Sequence, residues 1–107
     1  GINAEYGEIM RTNNVKNVAM GHIMEQLEAF WAVFEAEVVQ ITKDLTKLED
    51  MKRRYGQECD KLIEHLNKQK SQRKQFLKRM QLLCNKIQIN PEECIILIHD
   101  LEQFTKE

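Results

Sequence analysis

The chain has little that would let it turn. Its 107 residues include one proline, Pro91, and four glycines, Gly1, Gly7, Gly21 and Gly56. Hairpin loops and the short strands of an all-β fold are built from these residues, so their scarcity excludes that class and predicts an all-α chain. Long apolar runs are missing too. The longest on the C-terminal side, Cys94 to Ile98, is far short of the about 20 residues that cross a bilayer, so no membrane partner is expected. The chain opens on Gly1 without a charged segment, an apolar run and a small-residue cleavage site, which reads as cytosol or nucleus rather than secretion. Three cysteines, Cys59, Cys84 and Cys94, form no C-x-x-C pair and are odd in number, which fits reduced thiols better than a disulfide framework.

Catalytic chemistry is equally scarce. His22, His65 and His99 are not spaced i, i+4, and Cys84, Cys94 and His99 match no finger or ribbon pattern, so neither a metal nor a cofactor is expected. Glu92 and Glu93 are helix neighbours pointing about 100° apart. First-turn acids facing the helix dipole explain them better than a catalytic pair. There is no phosphate-binding glycine loop, nucleophile elbow or H-E-x-x-H, and the sequence predicts no enzyme.

What the chain does have is a stripe. It is 42% hydrophobic and 31% charged, ordinary for a folded protein, and from Met24 onward its apolar residues repeat every seven. Position a reads Met24, Trp31, Val38, Leu45, Lys52, Cys59, Leu66, Arg73, Met80 and Ile87; position d reads Leu27, Phe34, Ile41, Leu48, Tyr55, Leu62, Gln69, Phe76 and Leu83. Sixteen of these nineteen are apolar, which is the pattern of a coiled coil or a long bundle helix. Unbroken over 22–89, such a helix would run roughly 95 Å between Met24 and Ile87. Left in water, each large side chain would cost about 1.5 to 3 kcal/mol, so the stripe needs a partner surface and a second copy is the simplest one. Gly56 weakens the helix and marks a bend or a close approach. The Phe30, Trp31 and Phe34 cluster could form a partner pocket, but two of its members lie on the stripe and core packing explains them better.

Charge sets the expected orientation. Residues 21–50 carry net minus 5 and residues 51–90 net plus 8. A parallel pair would lay basic half on basic half and Arg73 on Arg73. An antiparallel pair matches acid to base and brings Trp31 near Phe76 and Leu45 near Leu62. The polar seam residues Lys52, Gln69 and Arg73 would then fix orientation at some cost in stability. An antiparallel homodimer is therefore expected, with the apolar a and d residues as its interface. The basic run Lys68 to Arg79 could bind nucleic acid, but it also complements the acidic segment, and the net charge of minus 1 is not that of a dedicated nucleic-acid binder.

Shorter helices are expected on either side, over 1–20 and 91–106. Asn90 is a good N-cap, Pro91 suits the first helical position and Glu93 the capping-box position. The face Cys94, Ile95, Ile98, Leu101 and Phe104 would fold back on the long helix through a corner at Ile89-Asn90. Ile2, Tyr6, Ile9 and Met10 give the N-terminal piece a smaller apolar face.

Three segments carry a family resemblance: Leu27-Glu28-Ala29-Phe30-Trp31, then Leu83-Cys84-Asn85-Lys86-Ile87-Gln88-Ile89, then Ile98-His99-Asp100-Leu101-Glu102-Gln103-Phe104. Nearly the whole chain resembles the N-terminal region of the non-motor antiparallel microtubule crosslinkers, the protein-regulator-of-cytokinesis and anaphase-spindle-elongation family. Phe34-Glu35-Ala36 stands where that family has a glycine-containing turn after the tryptophan, which leaves open whether the helix breaks there. The resemblance implies a dimer whose distal domains, outside this segment, grip oppositely directed microtubules at the spindle midzone during cytokinesis. It implies dimer-core roles for Leu27, Trp31, Leu83, Cys84 and Ile87, and a kinesin or other spindle protein as a further partner. The rival expectation is a general coiled-coil adaptor of the centrosomal, tethering or signalling kind.

Overall fold

A computed structural model describes the backbone of residues 2–85 and 90–106 and, within the first helix, side chains from Met20 onward. Over these residues the chain is all-helical and contains no strand: α1 is Ile2–Tyr55, α2 is Glu58–Cys84 and α3 is Pro91–Lys106. The short separate helix expected over 1–20 is instead part of α1, which runs on from Ile2 to Tyr55; the apolar face expected of Ile2, Tyr6, Ile9 and Met10 concerns side chains outside the described ones, and Ile87 and Ile89 fall outside the described residues.

The single helix expected over 22–89 is two helices, and this is the main correction to the sequence reading. α1 ends at Tyr55, and Gly56, at φ +65°, turns the chain back. A β-carbon is penalised in that left-handed conformation and glycine has none. The Gly56 amide donates to the Lys52 carbonyl at 2.8 Å, satisfying one of the carbonyls left over at the helix end. Charge supports the break on both sides. Lys52, Arg53 and Arg54 occupy the last turn of α1, and Glu58 and Asp60 the first turn of α2, each facing the dipole end that favours it. Across the turn, Lys52 Nζ meets Asp60 Oδ1 at 2.7 Å.

Folding back answers the need that led the sequence reading to a second copy. A partner tethered through two residues is present at far higher effective concentration than a separate chain. α2 runs antiparallel along α1 and α3 closes over both helices at the end distant from Gly56. The result is a rod of 80 × 22 × 17 Å. Its long dimension matches the roughly 81 Å expected of a 54-residue helix. α1 passes through Phe34-Glu35-Ala36 without a break, which settles the point that the sequence left open after Trp31.

The core lies where three helices meet. Ile23, Leu27 and Phe34 of α1, Met80 of α2, and Cys94, Leu97, Ile98 and Leu101 of α3 form one buried cluster. Met24, Trp31, Phe76, Leu83 and Phe104 pack around it half-buried. α3 is placed by its own sequence: Asn90 Oδ1 accepts from the Glu92 amide at 3.0 Å, the expected N-cap. Its buried face differs from expectation at one position. Leu97 is fully buried and Ile95 is 55% exposed. The spacing 94, 97, 98, 101 follows the i, i+3, i+4, i+7 stripe, whereas 95 lies about 100° away from 94.

Candidate functional site

Among the described residues no group of three potential metal ligands occurs, and none of the helices they form is long and apolar enough to cross a membrane. The candidate site is therefore the stripe itself and the surfaces it leaves open.

Most of the stripe is used within the chain. Leu27, Phe34, Ile41, Leu45, Cys59 and Met80 are buried, and Met24, Trp31, Val38, Leu48, Leu66, Phe76 and Leu83 are partly buried. The stripe fails near the turn, where Lys52 is exposed, Tyr55 is 58% exposed and Leu62 is 49% exposed. The antiparallel sense read from charge is present, but between two halves of one chain. Phe76 faces Phe34 at 5.8 Å between ring centroids, where Trp31 was the expected neighbour. Leu62, expected near Leu45, is half in solvent.

Phe34, Phe76 and Phe104, one from each helix, meet in a ring trio. Phe104 is edge-on to Phe34 at 5.8 Å and tilted on Phe76 at 5.1 Å. Such offset arrangements are favoured by the ring quadrupoles. Trp31 Nε1 donates to Glu35 Oε2 at 3.0 Å on the helix surface, so its polar edge stays wet while its ring packs on the core.

Two of the polar seam residues, Arg73 and Lys52, join the halves. Arg73 Nε donates to Glu37 Oε2 and its Nη1 to the Gln69 carbonyl at 3.1 Å, while the guanidinium lies 5.3 Å from the Phe104 ring centroid. Gln69 pairs with His65 at 3.0 Å on the same helix. Lys52 closes the turn through Asp60, and that hydrogen bond, reinforced by the carboxylate charge, raises the lysine pKa above its ordinary 10.5. Arg79 bridges to Asp100 of α3 at 3.1 Å.

Two surfaces stay open. Between the end of α2 and the start of α3 lies a groove of about 540 Å³ lined by Leu82, Leu83 and Ile96 with Arg79, Asn85 and Glu93 at its rim. Leu82 and Ile96 are 57% and 59% exposed. On the outer face of α2, Lys70, Lys74 and Lys78 line a shallow basic groove with Asn67, Ser71 and Gln75. The acidic segment was expected to complement the basic run. Of the six cations of that run, Arg73 reaches an acid on α1 and Arg79 an acid on α3, whereas the lysines have no carboxylate within ion-pair distance among the described residues.

The buried positions that sequence reasoning missed are Ile23 and Leu97. Ile23 flanks position a, and a third helix widens the apolar face beyond the two-position seam of a coiled coil. The sequence held a signal for the turn as well: three bases, a glycine and two acids in succession around Gly56. No protein family, curated protein or solved structure matches the chain.

Proposed function

We propose that the chain is the dimerisation module of a non-motor microtubule-bundling protein, one that crosslinks antiparallel microtubules in the spindle midzone during cytokinesis. The observation that supports this reading is the antiparallel packing of α2 on α1 within one chain, joined at mid-seam by Arg73 on Glu37. A seam that selects this sense suits a two-fold dimer whose ends point in opposite directions. The resemblance of its three segments supplies the microtubule context. Microtubules would be bound by domains outside this segment, with a kinesin or other spindle protein as an additional partner.

Sedimentation equilibrium over a wide concentration range tests the dimer. A monomer–dimer equilibrium is expected. Fusing the chain to a microtubule-binding domain that is monomeric by itself then tests the context. The fusion should bundle microtubules of opposite polarity, and a strictly monomeric fusion that decorates single filaments would sink the reading.

The second reading, a coiled-coil adaptor, is favoured by the apolar groove beside Leu82 and Ile96. It predicts that a partner helix protects this groove, and that the fusion bundles filaments without preference for polarity.

A further inference from the structure

The seven-residue repeat continues through the turn without a slip. Lys52 and Cys59, and likewise Tyr55 and Leu62, keep their spacing on either side of Gly56-Gln57. A helical hairpin does not require this, because its two arms pack in any relative register that the loop allows. A continuous helix does require it, since one inserted residue would swing the following stripe by about 100°.

Only Gly56 and Gln57 separate α1 from α2, and no proline stands near them. Gly56 is the sole described residue with positive φ. A glycine is tolerated inside a helix at small cost. The turn is lightly held: of the stripe residues around it only Cys59 is buried, Lys52, Tyr55 and Leu62 are exposed, and the Lys52–Asp60 pair lies at the surface. The strong cross-helix contacts lie farther away, at Phe34 with Phe76 and Glu37 with Arg73. Each of these pairs sits at nearly equal distances along the chain on either side of Gly56. A second copy running the other way therefore offers the same partner residues in the same order.

We propose that the chain dimerises by exchange: the hairpin opens at Gly56-Gln57, α1 and α2 become one helix, and each α1 packs on the other copy's α2 and α3. This rests on the dimerisation reading above and specifies how the two copies are joined. α3 travels with α2, so the Phe34, Phe76 and Phe104 trio and the Arg79–Asp100 bridge are kept, the trio now drawing Phe34 from one copy and the other two rings from its partner. Closed monomer and exchanged dimer share their packing and differ at the hinge, which is the condition under which domain swapping is cheap.

A length-defined cross-link separates the forms. In a background with Cys59, Cys84 and Cys94 replaced by alanine, Glu37→Cys and Arg73→Cys are joined by a short bismaleimide. The two positions face each other in the hairpin, but within an opened chain they would be about 54 Å apart. The isolated dimer should give covalently joined chain pairs. Gly56→Ala should raise the dimer fraction severalfold, and two glycines inserted after Gly56 should return the chain to monomer by breaking the open helix's register. As a check on the native sequence, mixed tagged and untagged dimers should trade subunits slowly, at the rate of hairpin unfolding. An isolated dimer that links only within single chains, or that exchanges subunits in seconds, overturns the exchange and leaves dimerisation standing. A chain that remains monomeric even as Gly56→Ala overturns both.

Discussion

Arg73 of α2 and Glu37 of α1 form an ion pair across the seam, and the arginine, 17% exposed, also donates to the Gln69 carbonyl and lies over Phe104. From sequence, Arg73 is a charge tolerated in an apolar seam, and leucine would be neutral or better there. With its partners in view the expectation reverses. Arg73→Leu should cost about 1 to 2 kcal/mol, since it leaves Glu37 unpaired and removes two hydrogen bonds. Glu37 is 41% exposed, so solvent screens the pair, and a double-mutant cycle with Glu37→Gln should give a coupling of about 1 kcal/mol or less. Urea unfolding of the four proteins measures both.

The three-helix end should carry most of the stability. Phe34→Ala and Leu101→Ala remove side chains with 1% and 0% exposure, and each should cost about 3 to 5 kcal/mol. Ile95→Ala, by contrast, should stay within about 0.5 kcal/mol, because that side chain is mostly in solvent. Equal losses at Ile95 and Leu101 in chemical denaturation would mean that α3 packs on a different face.

Gly21 in α1 and Gly56 at the hinge should respond in opposite directions. Gly21 is helical and a β-carbon there meets nothing within 4 Å, so Gly21→Ala should stabilise by about 0.5 to 1 kcal/mol. Gly56→Ala has the same open space but a φ of +65°, and should destabilise the closed hairpin by about 1 to 2 kcal/mol. Thermal melts at low protein concentration, where chains are single, make the comparison.

At high pH the turn should loosen before the core does. The Lys52 pKa is raised by Asp60, so the pair's contribution is fully present below the ordinary lysine value of 10.5 and fades as pH rises through the higher folded value. Asp60→Asn should remove this dependence, and 1 M salt should weaken it, because both groups are exposed. Titration of Lys52 by NMR, in the native chain and in Asp60→Asn, checks the direction.

Helicity, the stripe and the Asn90 cap were legible because each depends on local spacing. The turn at Gly56 was harder to see for a physical reason. An unbroken heptad and a hairpin give the same pattern when the two non-helical residues preserve the phase. The deciding signal was the shift from Lys52-Arg53-Arg54 to Glu58 and Asp60 around Gly56, whereas Tyr55 and Leu62 count as apolar in the sequence and only the fold shows them exposed. Charge complementarity led to an antiparallel pair of chains, but it is blind to whether the complementary half belongs to the same chain, and within one chain the two-residue turn alone makes α2 antiparallel to α1. The apolar residues of α3 were recognised, with Ile95 taken for Leu97, because a five-residue run of apolar side chains does not itself show which edge of the helix turns inward.

The three thiols occupy three different environments: Cys59 is buried beside the turn, Cys94 is buried on the inner face of α3 and Cys84 is exposed. A maleimide pulse should therefore label Cys84 at once. Cys59 would react when the stem beside the hinge parts, and Cys94 when the third helix lifts away. The unmodified chain thus contains its own clock for two distinct motions, read by mass spectrometry from the order in which the remaining two sulfurs are captured.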